Sequence, residues 1–343
     1  MCSGAAGRRK RALRGGNIDA GHATYGAFVT VQAETTAREG RVRAARRAPQ
    51  RGGVVDHLVL LKPRVMSLVC FTGFVGYVLV PGPIDWLRLV TTIVAMAAGA
   101  GACGALNMWW DADIDRDMAR TAMRPIPRGA VHGREALALG TVMGVASVVA
   151  MGALVNWLAA ALLALTFAIY IPLYTMVLKR WTPQNIVIGG AAGALPPMIG
   201  WAAASGTLGA GPIALFLFIF LWTPPHFWAL ALCRAGDYER VGVPMMPNVV
   251  GPVATCRQIV VYSLLLVASS FGPLLIPGVG LVYGVFAAVS GVVFLQRAFA
   301  LYRMRDAEEG PRRKAAMALF GYSILYMFLV FAALLAQALA NRW

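Results

Sequence analysis

The feature that most constrains this sequence is a series of nine apolar runs. Each run is close to the ~20 residues that a helix needs to cross a bilayer. Hydrophobic residues make up 59% of the chain and charged residues 13%, whereas soluble domains carry about 25% charged residues. We therefore predict an all-α, polytopic membrane protein with about nine transmembrane helices. The runs lie at 60–80, 87–110, 135–155, 157–178, 184–204, 212–232, 258–277, 279–300 and 315–339.

The connections between these runs alternate in charge. Four are short and almost uncharged, and the other four are basic. Because Lys and Arg accumulate in cytoplasmic loops, the basic connections and the N-terminus are predicted to lie on the cytoplasmic side. The basic connections are 111–134, 179–180, 233–257 and 301–314.

Residues 1–53 carry eleven Lys or Arg against three acids, which is half of the net charge of +16. Their high charge and missing apolar periodicity predict a disordered tail, ahead of a membrane domain at 54–343. The remaining charge lies in short loops, so we expect no nucleic-acid partner. No apolar segment follows the basic cluster at 8–11, which argues against a secretory signal. A mitochondrial transit peptide fits, but the bacterial inner membrane is favoured.

Acidic residues cluster where the second run ends. Asn107, Asp111 and Asp115 recur every four residues, so a helix places them on roughly one face. Three such oxygen ligands can hold Mg²⁺, which takes one or two carboxylates and completes its shell with water and phosphate. Asp113 and Asp117 are assigned to the solvated side. A solvated loop after a transmembrane helix would contain the same residues, and this alternative stays open.

Cations follow the acids closely enough to bind the phosphate that such a metal would carry. They are Arg116, Arg120, Arg124 and Arg128. Other polar residues lie at the ends of runs on the same side, and taken singly they fit ordinary membrane anchors and interfacial aromatic residues. These residues are Lys62, Arg64, Tyr174, Lys179, Arg180, Asn185 and Asp237. His226 lies inside the sixth run, where polar residues tend to be functional.

Two proline pairs predict that the fifth and sixth spans line a cavity, and the polar residues on the basic side predict that it opens to the cytoplasmic side. Pro196-Pro197 and Pro224-Pro225 interrupt the fifth and sixth runs, and such breaks are tolerated where the backbone faces protein or a cavity. Acids for Mg²⁺, cations for phosphate and an apolar cavity together fit a substrate with a diphosphate head and a long hydrocarbon tail. An apolar pocket also protects a carbocation from water.

Several segments of the chain resemble a known family. The N-x-x-x-D-x-x-x-D pattern at 107–115, followed by R-P-x-P at 124–127, resembles the first aspartate motif of UbiA-type intramembrane prenyltransferases. Further segments resemble the protohaem IX farnesyltransferase branch of this family, and the resemblance covers about 58–335. These segments are LLKPRVMSL at 60–68, the segment 174–201, WTPPHFWALAL at 222–232 and DYERVGVPMMP at 237–247.

The resemblance implies transfer of farnesyl from farnesyl diphosphate to the 2-vinyl group of haem B, which yields haem O. It also implies Mg²⁺ as cofactor, a nine-helix bundle around a central cavity in the lipid bilayer, and a haem A synthase or terminal-oxidase assembly partner. By the same resemblance Asn107, Asp111 and Asp115 hold the first metal, and Asp237 belongs to a second acidic motif. Cys233 stands where the broader superfamily has an aspartate.

The predicted substrate-binding residues come partly from the family resemblance and partly from the residue pattern itself. The resemblance implies a diphosphate site, and the residue pattern adds Lys62, Arg116 and Asn185. The residues implied by the resemblance are Arg64, Arg124, Arg128, Tyr174, Lys179 and Arg180. For His226 we expect a role toward the haem, as iron ligand, propionate partner or proton acceptor.

Two other functions remain as alternatives. A prenyltransferase of the same architecture could make a quinone or a chlorophyll-like product. A transporter or channel would also explain broken helices and polar residues within spans. However, the polar groups gather at one face of the membrane, whereas transporters usually bind their substrates near the midplane.

Overall fold

The computed structural model of the protein describes residues 52–342. The predicted tail at 1–53 thus lies outside the described residues, except for Gly52 and Gly53. Every regular element between 52 and 342 is a helix. In chain order the helices are α1 Val54–Leu60, α2 Pro63–Val78, α3 Trp86–Trp110, α4 Ala112–Asp117, α5 Gly133–Leu154, α6 Trp157–Ala168, a π-helix Ile169–Leu178, α7 Lys179–Trp181, α8 Asn185–Ala194, α9 Pro196–Ser205, α10 Ala210–Leu232, α11 Ala235–Arg240, α12 Met246–Ser269, a 3₁₀-helix Gly272–Leu275, α13 Leu281–Arg303 and α14 Glu309–Ala340.

The predicted polytopic architecture is confirmed. Within the described part of the chain, eight helical segments are long and apolar enough to cross a membrane. A shorter apolar helix, Met66–Val78, occupies the place of the first predicted span. The predicted number of nine is therefore approximate.

The structure departs from the predicted spans at three places. The fourth span changes from α-helix to π-helix at Ile169, three residues before Pro172. The seventh begins at Met246, inside the predicted loop 233–257, and bends at Gly251, whose φ is 81°. The predicted break at Pro224-Pro225 is wrong, because α10 continues through both prolines. Each proline removes one backbone donor, and a helix packed on several sides can tolerate that loss.

The fifth span is broken as predicted. Helix α8 ends at Ala194, and Pro196 occupies the first turn of α9, where a missing N–H has no helical partner to lose. At the other end of the preceding span, Asn156 caps α6 by accepting from the Ala159 amide at 2.8 Å. Its Nδ2 donates to the Ala202 carbonyl at 2.9 Å, so one side chain ties α6 to α9.

Six elements pack in a closed ring. Helix α2 contacts α3, α3 contacts the π-helix, the π-helix contacts α8, α8 contacts α10, α10 contacts α14, and α14 returns to α2. The rings of Phe71 and Phe328 stack at 5.1 Å between centroids and join the last pair. Of the remaining long helices, α5 packs against α3 and α12 against α10.

Glycines let α2 and α9 approach to backbone contact. A Cβ added at Gly200 would lie 1.9 Å from the carbonyl oxygen of Gly73, and one added at Gly76 would lie 2.2 Å from that of Pro197. Small residues are the usual means of close helix packing in lipid, where no hydrophobic force draws helices together. This contact brings the first span against the second half of the fifth.

Gly200→Ala should destabilise the protein by about 1–3 kcal/mol, because the added methyl group would overlap a backbone carbonyl that cannot move alone. The measurement is the thermal unfolding midpoint of the full chain in detergent. Gly321→Ala is the matched control, since Gly321 lies within α14 and nothing is within 4 Å of the added Cβ. Equal midpoints for the two variants would contradict the proposed packing.

Candidate functional site

The acidic face predicted from four-residue spacing exists in the structure. Helix α3 ends at Trp110, yet the Asp111 amide donates to the Asn107 carbonyl at 3.0 Å and the Asp115 amide to the Asp111 carbonyl at 2.9 Å. These bonds continue the helical register into α4. Asn107, Asp111 and Asp115 are buried, whereas Asp113 and Asp117 are exposed. Asp113 and Asp117 are thus on the solvated side, as predicted, and metal binding by the three buried residues stays a prediction.

Each residue of this buried face is matched by a cation. Lys179 Nζ lies 2.5 Å from Asp111 Oδ2, and Arg124 Nη1 lies 2.6 Å from Asp115 Oδ2. Buried carboxylates are strongly destabilising unless they are paired, so these contacts stabilise the folded chain. The cations come from the turn after α4 and from the end of the π-helix. They draw three separate segments together at one end of the ring.

Lys62 supplies the third cation of this cluster. Its Nζ donates to Asn107 Oδ1 at 2.7 Å. Burial, together with the nearby charges of Arg124 and Lys179, lowers the pKa of Lys62 to about 7. Lys62 also has a φ of 52°, the only positive φ outside glycine in the described residues. Such strain persists where the surroundings enforce it, and it is frequent at functional sites.

The π-helix places two predicted residues one turn apart. The Lys179 amide donates to the Tyr174 carbonyl five residues earlier, which is the spacing of a π-helix. The ring of Tyr174 packs against Gly189, where an added Cβ would lie 2.3 Å from the ring. Tyr170 and Tyr174 stack at 5.7 Å between centroids. This segment thus forms a wall beside the acidic face.

Thr175 is a site residue that the sequence analysis missed. It is fully buried, and its Oγ1 accepts from Asn107 Nδ2 at 3.3 Å. A threonine in an apolar run usually bonds to a carbonyl of its own helix. The sequence therefore does not show that Thr175 also contacts a residue of another helix.

Arg180 is engaged with an exposed acid. Its guanidinium donates to both carboxylate oxygens of Asp113, each at 2.8 Å. This hydrogen bond lowers the pKa of Asp113. The nearest oxygen of Asp111 lies 4.0 Å away. Arg180 therefore lies beside the acidic face, but its hydrogen bonds go to the exposed Asp113.

Among the described side chains, the other predicted cations form no ion pair with Asp111 or Asp115. Arg128 pairs with Asp56 of α1, an acid that the sequence analysis did not consider. Arg116 and Arg120 are exposed. Arg64 belongs to the first turn of α2, and its side chain lies outside the described part of the structure. For these arginines, diphosphate binding stays a prediction.

Asn185 begins α8 and is almost fully buried. Its Nδ2 donates to the Thr182 carbonyl at 2.6 Å. Its Oδ1 is buried and has no hydrogen-bond partner within the described residues. An unpaired buried acceptor is costly, so Asn185 retains an atom that a ligand donor could satisfy.

His226 is held between two aromatic rings. The imidazole stacks on Trp222 at 4.2 Å and on Phe320 at 4.6 Å between centroids. Its Nδ1 lies 2.6 Å from Ser323 Oγ, and this hydroxyl donates to the Phe320 carbonyl at 2.6 Å. With the Ser323 proton on the Phe320 carbonyl, Ser323 accepts from Nδ1–H, and in a neutral imidazole Nε2 is then the unprotonated nitrogen. No contact within 52–342 joins this group to the acidic face.

Asp237 is also separate from the acidic face in the described contacts. It is partly buried in α11 and pairs with Arg234 at 3.8 Å. The neighbouring Tyr238 lies within electrostatic range of Tyr174, so α11 is near the π-helix. Cys233 donates to the carbonyls of its own helix and of Arg313. Metal binding by Asp237 stays a prediction.

The residues at the acidic face suit Mg²⁺. The structure shows no group of three or more His, Cys, Asp or Glu placed around one metal position between residues 52 and 342. Mg²⁺ needs only one or two carboxylates, because water and substrate phosphate complete its shell. Asp111 Oδ1 is buried without a hydrogen-bond partner. The Asp115 carboxylate, the Asp111 carboxylate with its unpaired oxygen, and the Asn107 amide oxygen therefore fit a small divalent cation.

Comparison with known proteins places this chain in a family. The chain matches the UbiA prenyltransferase family over residues 69–324. It is 55% identical over 287 residues to a protein named protoheme IX farnesyltransferase 2 from Mesorhizobium japonicum, and the match covers 84% of this chain and 91% of that protein.

Solved structures share the fold. One structure of digeranylgeranylglyceryl phosphate synthase superposes with a TM-score of 0.70 at 18% identity, covering 83% of this chain and 98% of that one. A UbiA homologue from Archaeoglobus fulgidus, solved with DMAPP and Mg²⁺, gives a TM-score of 0.61 at 18% identity, covering 80% and 99%. The match over 69–324 and the 55% identity to a full-length relative show that this chain belongs to the UbiA prenyltransferase family.

Proposed function

We propose that this chain transfers the farnesyl group of farnesyl diphosphate to the 2-vinyl group of haem B, within a bacterial inner membrane. The observation that carries this proposal is the buried face of Asn107, Asp111 and Asp115, matched by cations at one end of a ring of apolar helices. The name of the relative from Mesorhizobium supports haem as the acceptor. Its 55% identity extends over the segments that resemble this branch.

Asn107, Asp111 and Asp115 would hold Mg²⁺. When bound, Mg²⁺ neutralises charge on the diphosphate and so assists its departure. The Archaeoglobus homologue binds Mg²⁺ together with the prenyl diphosphate DMAPP, which supports this cofactor. Asp237 remains a candidate for a second metal position.

Lys62, Lys179 and Arg124 would bind the diphosphate. Lys179 and Arg124 pair with the two acids and Lys62 donates to the Asn107 amide oxygen. All three can exchange these contacts for phosphate oxygens when a metal takes their partners. Arg180, Arg128 and Arg64 lie on the neighbouring elements. Fixed cations stabilise the charge that develops as the leaving group departs, without a cost of reorganisation at that moment.

The bond changes follow from these groups. The bond between farnesyl C1 and the diphosphate oxygen breaks, and its electron pair leaves with the diphosphate. The vinyl π electrons of haem B form the new carbon–carbon bond, which leaves a cation beside the macrocycle. Water adds to this cation and loses a proton. The product is the hydroxyethylfarnesyl side chain of haem O.

The residues around His226 supply the proposed acceptor side. Nε2 of His226 is the free nitrogen, and the rings of Trp222 and Phe320 hold the imidazole in place. This nitrogen could bind the haem iron, contact a propionate or accept the proton released by water. A haem A synthase or a terminal-oxidase assembly partner would receive the product, and this partner stays a prediction.

Asp111→Asn should lower haem O formation by about 100-fold or more, because it removes the buried charge that metal and diphosphate need. Membranes containing the protein are incubated with haem B, farnesyl diphosphate and Mg²⁺. Haems are then separated by chromatography and identified by mass. Removing Mg²⁺ with a chelator should abolish the product in the wild type.

Asp113→Asn is the matched control, since Asp113 is exposed and pairs only with Arg180 among the described residues. It should lower the rate by about 5-fold at most, because an exposed ion pair contributes about 1 kcal/mol or less. The proposed function is wrong if intact wild-type protein forms no haem O. Product from hydroxybenzoate instead of haem B would assign the chain to a quinone branch.

His226→Phe should lower haem O formation by about 10-fold or more, the factor that corresponds to roughly 1.4 kcal/mol of lost interaction. Phenylalanine keeps a ring between Trp222 and Phe320 but removes both nitrogens. Haem B binding is followed by absorption spectroscopy, and farnesyl diphosphate binding should not change. His57→Phe, on α1, is the control. Unchanged haem binding and turnover in His226→Phe would exclude a role toward the haem.

A further inference from the structure

A network of buried hydrogen bonds defines the orientation of the Asn107 amide. Its Nδ2 donates to Asp111 Oδ2 at 2.8 Å and to Thr175 Oγ1 at 3.3 Å. Its Oδ1 accepts from Lys62 Nζ at 2.7 Å. The reversed amide would place an NH₂ group against the ammonium and an oxygen against the carboxylate, and both contacts would be repulsive. Only one orientation satisfies all three neighbours.

Thr175 can act only as an acceptor toward Asn107, because its single proton is used elsewhere. The hydroxyl donates to the Tyr170 carbonyl at 2.8 Å. These residues are five apart, which is the spacing of a π-helix, whereas a threonine in an α-helix bonds back to the fourth preceding carbonyl. Thr175 is 0% exposed, so solvent does not compete for the hydroxyl. The π-helix therefore determines which lone pair meets Asn107.

The two acceptors of the amide differ in what else they do. Asp111 Oδ2 also accepts from Lys179, and Asp111 is itself a candidate metal ligand. Thr175 has no such second role, since its other hydrogen bond stays within the π-helix. It is the fixed end of the network. Lys62 Nζ donates to Asn107 Oδ1, so the position of this ammonium group shows where the amide oxygen can contact a cation.

We propose that Thr175 is a positioning residue for the Mg²⁺ site: it accepts from Asn107 Nδ2 and keeps Asn107 Oδ1 turned toward the cation position. This inference rests on the proposed function, which uses Asn107 as a metal ligand. Groups that orient a metal ligand typically contribute about 10–100-fold in metal affinity. Without the Thr175 hydroxyl, one N–H of Asn107 would be buried without a partner and the amide could rotate.

Mn²⁺ binding tests this role without reference to turnover. The purified full chain, with an excess of the slowly reacting analogue farnesyl thiodiphosphate, is titrated with Mn²⁺, and free Mn²⁺ is measured by electron paramagnetic resonance. Thr175→Val keeps the shape of the side chain and removes the hydroxyl, so it should weaken Mn²⁺ binding by about 10-fold or more. Thr175→Ser restores the hydroxyl and should bind like the wild type. Unfolding midpoints identify any variant that is misfolded.

Two results would overturn the proposal. One is unchanged Mn²⁺ affinity in Thr175→Val. The other is an equal loss in Thr175→Ser, which would assign the effect to the missing methyl group. If Thr175→Val does not fold because a methyl group replaces the hydroxyl, Thr175→Ala removes the same hydroxyl with no group in its place and is judged by the same outcomes.

Two further variants distinguish failure of this inference from failure of the proposed function. In Asn107→Ala the amide is gone, so adding Thr175→Val should cause no further loss of Mn²⁺ affinity, and a further loss would contradict the positioning role. Asp111→Asn tests the metal site itself. If Asp111→Asn binds Mn²⁺ as the wild type does, the proposed metal site is wrong, whatever the Thr175 variants show.

Discussion

The burial of the Asp111 carboxylate is the constraint on which the acidic end of this helix ring depends. A charged group with no partner at this depth would cost several kcal/mol, and Lys179 removes most of that cost by direct contact. Arg124 does the same for Asp115. These cations come from different segments, so pairing ties the segments together. The charges that allow the protein to fold are also the charges that a metal and a diphosphate require.

Close packing of helix backbones supplies the frame for these charges. Gly73, Gly76 and Gly200 let α2 meet α9 at van der Waals contact, and Gly189 leaves room for the ring of Tyr174. In lipid, helices associate through such contacts because the tails around them are as apolar as their side chains. The positions of the π-helix and of Lys62 beside the acidic face thus depend on small residues that carry no chemistry themselves.

The π-helix is the local feature that connects this frame to the proposed chemistry. Residues five apart on an α-helix point about 140° away from each other. In the π-helix the same spacing brings Thr175 under the Tyr170 carbonyl and the Lys179 amide under the Tyr174 carbonyl. Lys179 can then reach Asp111 while Thr175 faces Asn107. A regular α-helix over 169–178 would change the direction of the Lys179 side chain relative to that of Thr175.

The sequence by itself determined the polytopic all-α architecture, the basic side and the inward face of Asn107, Asp111 and Asp115, because run length, loop charge and four-residue spacing are local properties. The tertiary structure decided the rest. Which cation meets which acid, the pairing of His226 with Ser323, and the continuity of α10 through two prolines depend on how distant helices pack. The role of Thr175 is of the same kind, since a hydroxyl acquires its partner only when another helix supplies one.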